Sequence, residues 1–111
     1  MGEDSGERAD LVLTTTREGT SVLVAVVGEL DAYSAPSLEE LAAGLRADGF
    51  SNFTLDVSQT SFIDSSGLRS LVALHSELAK SDAGGLTLQA PSDPVARLLA
   101  ITGLAEHFKV T

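Results

Sequence analysis

The chain has 111 residues, 16 acidic against 7 basic side chains, a formal net charge of −9, a hydrophobic share of 43% and no cysteine. This composition suits one small folded domain, since a disordered chain would combine low hydrophobicity with high charge, and at this length a core and a deep cofactor cleft do not both fit. The acidity excludes the basic footprint that nucleic acid and anionic membranes require, and favours a basic protein partner. The missing thiols exclude disulfides, thiolate nucleophiles and zinc–thiolate sites.

Met1 to Asp10 is polar and acidic, without a basic start or an apolar stretch, and is expected to form a flexible tail to a domain over residues 11–111. No apolar run approaches the roughly 18 residues of a membrane span, so a soluble cytoplasmic protein is expected. Leu11 to Thr16 is a β-rich run, and Arg17 to Thr20, with Gly19, is a hairpin turn. Ser21 to Val27 is almost continuously apolar and β-branched, which predicts a central strand covered on both faces and closed by Gly28.

Helical spacing begins after Ser34, the expected N-cap, with Pro36 in the first turn and Leu38, Leu41, Ala42 and Leu45 as the apolar stripe. Asp48 and Gly49 end that helix. Asn52 to Val57 predicts a third strand with Phe53, Leu55 and Val57 on one face, and Ser58 to Thr60 a polar turn. A second helix runs from Ser65 or Ser66 to Ala79, with Leu68, Leu71, Val72, His75 and Leu78 as its stripe. Asp82, Gly84 and Gly85 make a turn, and Leu86 to Gln89 a fourth strand. Pro91 to Pro94 signals a third helix carrying Val95, Leu98, Leu99 and Thr102, ended by Gly103; His107 to Val110 completes the chain as a short strand. The order ββαβαβα, with a final β, predicts a small α/β domain: one mixed, mostly parallel sheet with helices packed largely on one side.

The informative segment is Ser61-Phe62-Ile63-Asp64-Ser65-Ser66-Gly67-Leu68, which sets two hydroxyls and a carboxylate at a helix start. Two readings are open. Asp64 or Ser65 caps the helix, or a serine there gains and loses a phosphate, with Gly67 leaving room for a partner's backbone. Independent catalysis finds little support: His75 lies ten residues down the same helix, roughly 15 Å away, and there is no GxSxG, HExxH or GxxxxGK[ST] pattern. No cofactor and no metal site are expected. The two histidines read as a partly buried helix residue and a surface residue.

Gly28-Glu29-Leu30-Asp31 after a strand, Asp56-Val57-Ser58 followed by Phe62-Ile63-Asp64-Ser65-Ser66-Gly67-Leu68, and Thr102-Gly103-Leu104 near the end together resemble the STAS domain of bacterial anti-sigma-factor antagonists, from about Leu11 to Val110. The resemblance implies that Ser65, with Ser66 as runner-up, is phosphorylated by an anti-sigma factor that is also a GHKL-type serine kinase. It further implies that the unphosphorylated form binds this partner and frees the sigma factor, and that a PP2C-type phosphatase resets the switch. Asp31, Asp64, Ser66, Gly67 and Arg69 are then expected at the partner-binding end, with Asp56 on the same rim. An Asx-type turn is the other reading of Asp31. Glu29, Glu39 and Glu40 read either as docking charges for a basic partner or as a solvated face. Arg69 stands where the antagonists usually have a small residue, and at i+4 it reaches a Ser65 phosphate. The rival functions are a STAS subunit of a transport complex or larger signalling assembly, and a small hydrolase using Ser65.

Overall fold

The computed structural model describes residues 11–81 and 84–111; the expected tail and Asp82 lie outside them. The elements are β1 (Leu11–Glu18), β2 (Ser21–Leu30), α1 (Ala35–Ala47), β3 (Asn52–Asp56), β4 (Thr60–Ile63), α2 (Ser65–Leu78), β5 (Gly85–Gln89), α3 (Asp93–Thr102), a 3₁₀ turn (Leu104–Glu106) and β6 (Lys109–Val110). The sheet order is β1-β2-β3-β5-β6, with β4 added on β2. Only β1 runs antiparallel, pairing Leu11 with Gly28 and Glu18 with Ser21; every other pairing is parallel, as strands separated by helices require. The hairpin turn contracts to Gly19 and Thr20, and Gly19 adopts the left-handed φ of 62° that so short a loop favours.

Strand β2 is the spine of the sheet. Ser21 to Ala25 pairs with β3, and Gly28 to Leu30 pairs with β4 along the same edge. Gly28 therefore does not close the strand, contrary to the sequence expectation. It sits at a register shift with φ 115°, which a glycine tolerates, and the strand continues to Leu30. Where β3 gives way to β4, the Gly28 amide donates to the Gln59 carbonyl at 3.0 Å. The buried Thr60 hydroxyl donates to the Val26 carbonyl at 2.7 Å, so the break leaves these polar groups satisfied. The four residues of β4 were expected partly as a turn: a strand this short, buried only at its two ends, carries no period-2 signal.

Helices α1 and α2 pack together over one face of the sheet. Val22, Val24, Val26 and Leu30 of β2 join Phe53, Leu55, Leu86 and Leu88 beneath Leu38, Ala42, Leu45, Leu68, Leu71, Leu74 and Leu78. Each buried Val, Leu or Phe among them contributes about 1.5–3 kcal/mol. Strand β2 is not covered on both faces as expected. Val12 is 50% exposed, and Leu23 and Val27 are 36% exposed, all three lying opposite the helical layer. On α2 the buried stripe includes Leu74, while Val72 and His75 are only half-buried. The final strand is limited to Lys109 and Val110, because the chain first forms the 3₁₀ turn after Gly103, whose left-handed φ of 75° ends α3.

Candidate functional site

The register of β2 against β4 builds the site. Leu30 pairs with Ile63, so the next residues, Asp31 and Asp64, leave the sheet side by side at one rim, and the Asp64 amide donates to the Leu30 carbonyl at 3.3 Å. Asp56 does not join them. It pairs with Ala25, five residues short of Leu30, which is about 16 Å of strand, and its Oδ1 is held by the Ser58 amide and hydroxyl at 3.0 and 2.7 Å.

Asp64 is the N-cap of α2. Its backbone is extended and its Oδ1 accepts the amides of Ser66 at 2.9 Å and Gly67 at 3.0 Å, while its carbonyl takes the Leu68 amide. The capping role thus falls to the aspartate, and Ser65, the first helical residue, is exposed. No described residue hydrogen-bonds its hydroxyl. Ser66 is half-buried, and its carbonyl accepts the hydroxyl of the buried Ser70 at 3.3 Å. That hydroxyl's one proton is shared with the Glu39 carboxylate, its shorter contact, which ties the first turn of α2 to α1 and assigns Glu39 a contact within the protein.

Gly67 is buried. A Cβ there would stand 2.4 Å from the Leu30 carbonyl oxygen, 2.9 Å from Leu30 Cγ and 3.0 Å from Ile63 Cγ1. The space left by the missing side chain is filled from within, by the end of β2, and not by an approaching partner as the sequence suggested. Gly67 sets how closely the serine-bearing turn lies on the rim.

Asp31 Oδ1 accepts the amides of Tyr33 and Ser34 at 3.0 Å and the Ser34 hydroxyl at 3.1 Å, an Asx-type turn as one of the two readings held. The Ser34 amide above all holds its carboxyl below the ordinary range, with the Ser34 hydroxyl and Tyr33 amide adding to the effect against partial desolvation. Ser34 makes no side-chain cap to α1. Its buried hydroxyl shares its one proton between the Glu29 carbonyl at 2.6 Å and Asp31 Oδ1, the shorter contact being to Glu29, and accepts the Asp31 amide, cross-bracing the loop.

Two aromatic side chains that the sequence reading did not assign a role flank the rim. Tyr33, two residues after Asp31, is 58% exposed, and Phe62, paired with Glu29, is 47% exposed. Large apolar side chains left in water beside functional loops are the signal that would have found them. Arg69 is exposed one turn after Ser65. His75 lies at the other end of α2, half-buried, with its ring 4.6 Å from that of the exposed His107. Neither imidazole is in place to serve Ser65 as a base.

The fold and this rim define a STAS domain: the family model matches residues 12–111, and the chain belongs to the STAS domain family. A Staphylococcus aureus protein named anti-sigma-B factor antagonist is 35% identical over 101 residues, covering 91% of this chain and 93% of that protein. An anti-sigma factor antagonist from Mycobacterium paratuberculosis superposes with a TM-score of 0.80 at 27% identity, over 90% of this chain and 84% of that one. SpoIIAA of Bacillus shares the fold in its unphosphorylated form (TM-score 0.77, 22% identity, 90% and 88% covered) and its phosphorylated form (0.71, 20%, 90% and 91%). Within the STAS family the chain falls among the anti-sigma-factor antagonists. Among the described residues no helix is long and apolar enough to cross a membrane.

Proposed function

We propose that this protein is a phosphorylation-controlled, non-enzymatic binding module of the bacterial cytoplasm. Unphosphorylated, it binds an anti-sigma factor that is also a GHKL-type serine kinase and so frees the sigma factor; phosphorylation of Ser65 switches it off, and a PP2C-type phosphatase restores it. The observation that carries this reading is the division of labour between adjacent residues. Asp64 caps the helix, which leaves the Ser65 hydroxyl exposed and without a described partner at a rim bearing Asp31, Asp64, Tyr33 and Phe62. The three donors to Asp31 all fall on Oδ1, so Oδ2 is the oxygen offered to a basic partner. The two aromatics supply the apolar anchors that interfaces favour.

One phosphate suffices as a switch without refolding. It adds about −1.5 to −2 charges beside Asp64. A unit like-charge pair at about 4 Å repels by about 4 kcal/mol at an effective dielectric of 20, falling to about 1 kcal/mol in water. The helix dipole returns only about 0.3–2 kcal/mol, and two of the amides a phosphate would seek already serve Asp64 Oδ1. A net penalty of about 2–3.7 kcal/mol within a desolvated interface lowers affinity about 30- to 500-fold.

Capture from the source organism's lysate with wild type, Ser65→Ala and Ser65→Asp as baits tests the reading. An ATP-binding kinase retained by the first two and not by the third is the expected result. The same partners on all three baits, or a membrane transporter among them, overturns it.

A further inference from the structure

We propose that Arg69 pairs with a phosphate carried on Ser65 and slows its removal. The inference rests on Ser65 as the phosphoacceptor and concerns how long the modification lasts.

Three amides at the start of α2 are already committed. Those of Ser66 and Gly67 donate to Asp64 Oδ1, and that of Leu68 donates to the Asp64 carbonyl. A phosphate on Ser65 therefore finds few free backbone donors at this helix start, and the Asp64 and Asp31 carboxylates share its rim. Along the two segments that form the rim, the nearest cation in sequence is on α2, while α3, packed against β4, carries Arg97. Gly28 to Ser37 and Val57 to Ser66 contain no Lys or Arg, and Arg69 is the first to follow.

The geometry of a helix favours the pairing. Cα–Cβ bonds tilt toward the N-terminus, so the long side chain of Arg69 leans back over the turn that holds Ser65. The order with the anion four residues before the cation is the more favourable one. Both residues are exposed, and the ion pairs formed among the described residues, Arg46–Glu77 and Lys80–Glu77, do not involve Arg69. A guanidinium can hold two non-bridging phosphate oxygens at once.

The consequence falls on hydrolysis. Water attacks phosphorus, the bond to Ser65 Oγ breaks, inorganic phosphate leaves and Oγ takes up a proton. A phosphatase must first displace the guanidinium from the oxygens that its own site needs.

The test installs phosphoserine at position 65 during translation, so it does not depend on any kinase and fails separately from the reading above. Wild type, Arg69→Ala and Arg69→Lys are compared by phosphorus NMR titration and by the initial rate of phosphate release by a PP2C-type phosphatase. Free phosphoserine titrates near pH 6. Removing Arg69, against the opposing carboxylates Asp31 and Asp64, is expected to raise the phosphate's midpoint by about half a pH unit and to speed release about five-fold, with Arg69→Lys between. Coincident titrations for wild type and Arg69→Ala overturn the pairing, and equal release rates overturn the protection.

Discussion

Replacing Gly67 by alanine sets two opposed effects against each other. In an unobstructed helix the change stabilises, because alanine exceeds glycine in helix propensity by about 0.8–1 kcal/mol. At Gly67 the new methyl would lie 2.4 Å from the Leu30 carbonyl oxygen, a backbone atom, with Leu30 Cγ and Ile63 Cγ1 at 2.9 and 3.0 Å. Ordinary contact begins near 3.4 Å, so α2 must move about 1 Å off the rim. Overpacking of this kind costs about 1–3 kcal/mol and can exceed it when backbone is the obstacle. The net expectation is a loss of about 1–2 kcal/mol, or roughly 4–15 °C in midpoint for a domain this size. Gly44, on the exposed face of α1, is the control: a Cβ added there meets nothing within 4 Å, and the expected gain is about 0.8–1 kcal/mol. Urea unfolding of both variants, with m-values checked for two-state behaviour, is the assay. If Gly67→Ala stabilises as much as Gly44→Ala, the close approach of helix to strand is wrong, and with it the account of what holds Ser65 at the rim.

Three further outcomes are expected. Asp64→Ala loses a cap that takes two amides, so it should destabilise by about 1 kcal/mol within a range of roughly 0.5–2 kcal/mol, whereas Asp64→Asn should recover most of the loss in the same unfolding experiment. Asp31 has a carboxyl held below its ordinary range, chiefly by the Ser34 amide, so its stabilisation is present above the unfolded value of about 3.9 and is lost as the pH falls through the lower folded value. Unfolding measured from about pH 5 to about pH 2 should therefore show a shallower acid limb in Asp31→Asn than in wild type, and parallel curves would contradict this. Thr60→Val keeps the volume of a fully buried side chain but strands the Val26 carbonyl where β3 gives way to β4, at an expected cost of about 1–3 kcal/mol by chemical denaturation.

The chain's own order of residues determined the class of fold and the location of the site. Apolar β-branched runs separated by 3.6-period stripes required a mostly parallel sheet, and Asp-Ser-Ser-Gly at a strand-to-helix junction marked the functional turn, because periodicity and capping are local properties. Leu38, Leu45, Leu68, Leu71, Val95 and Leu99 all lie buried where their spacing predicted. The tertiary structure decided matters that depend on residues far apart in the chain. Whether Asp64 or Ser65 caps α2 turned on which backbone lay extended at the rim. Gly67 acquired its role from Leu30, far earlier in the chain, whose carbonyl occupies the space. Asp56 lost its expected place because register on β2, not distance along the chain, sets height on the sheet. Strand β4 was illegible for a related reason: four residues without alternation become a strand only because the far end of β2 offers them unpaired backbone groups.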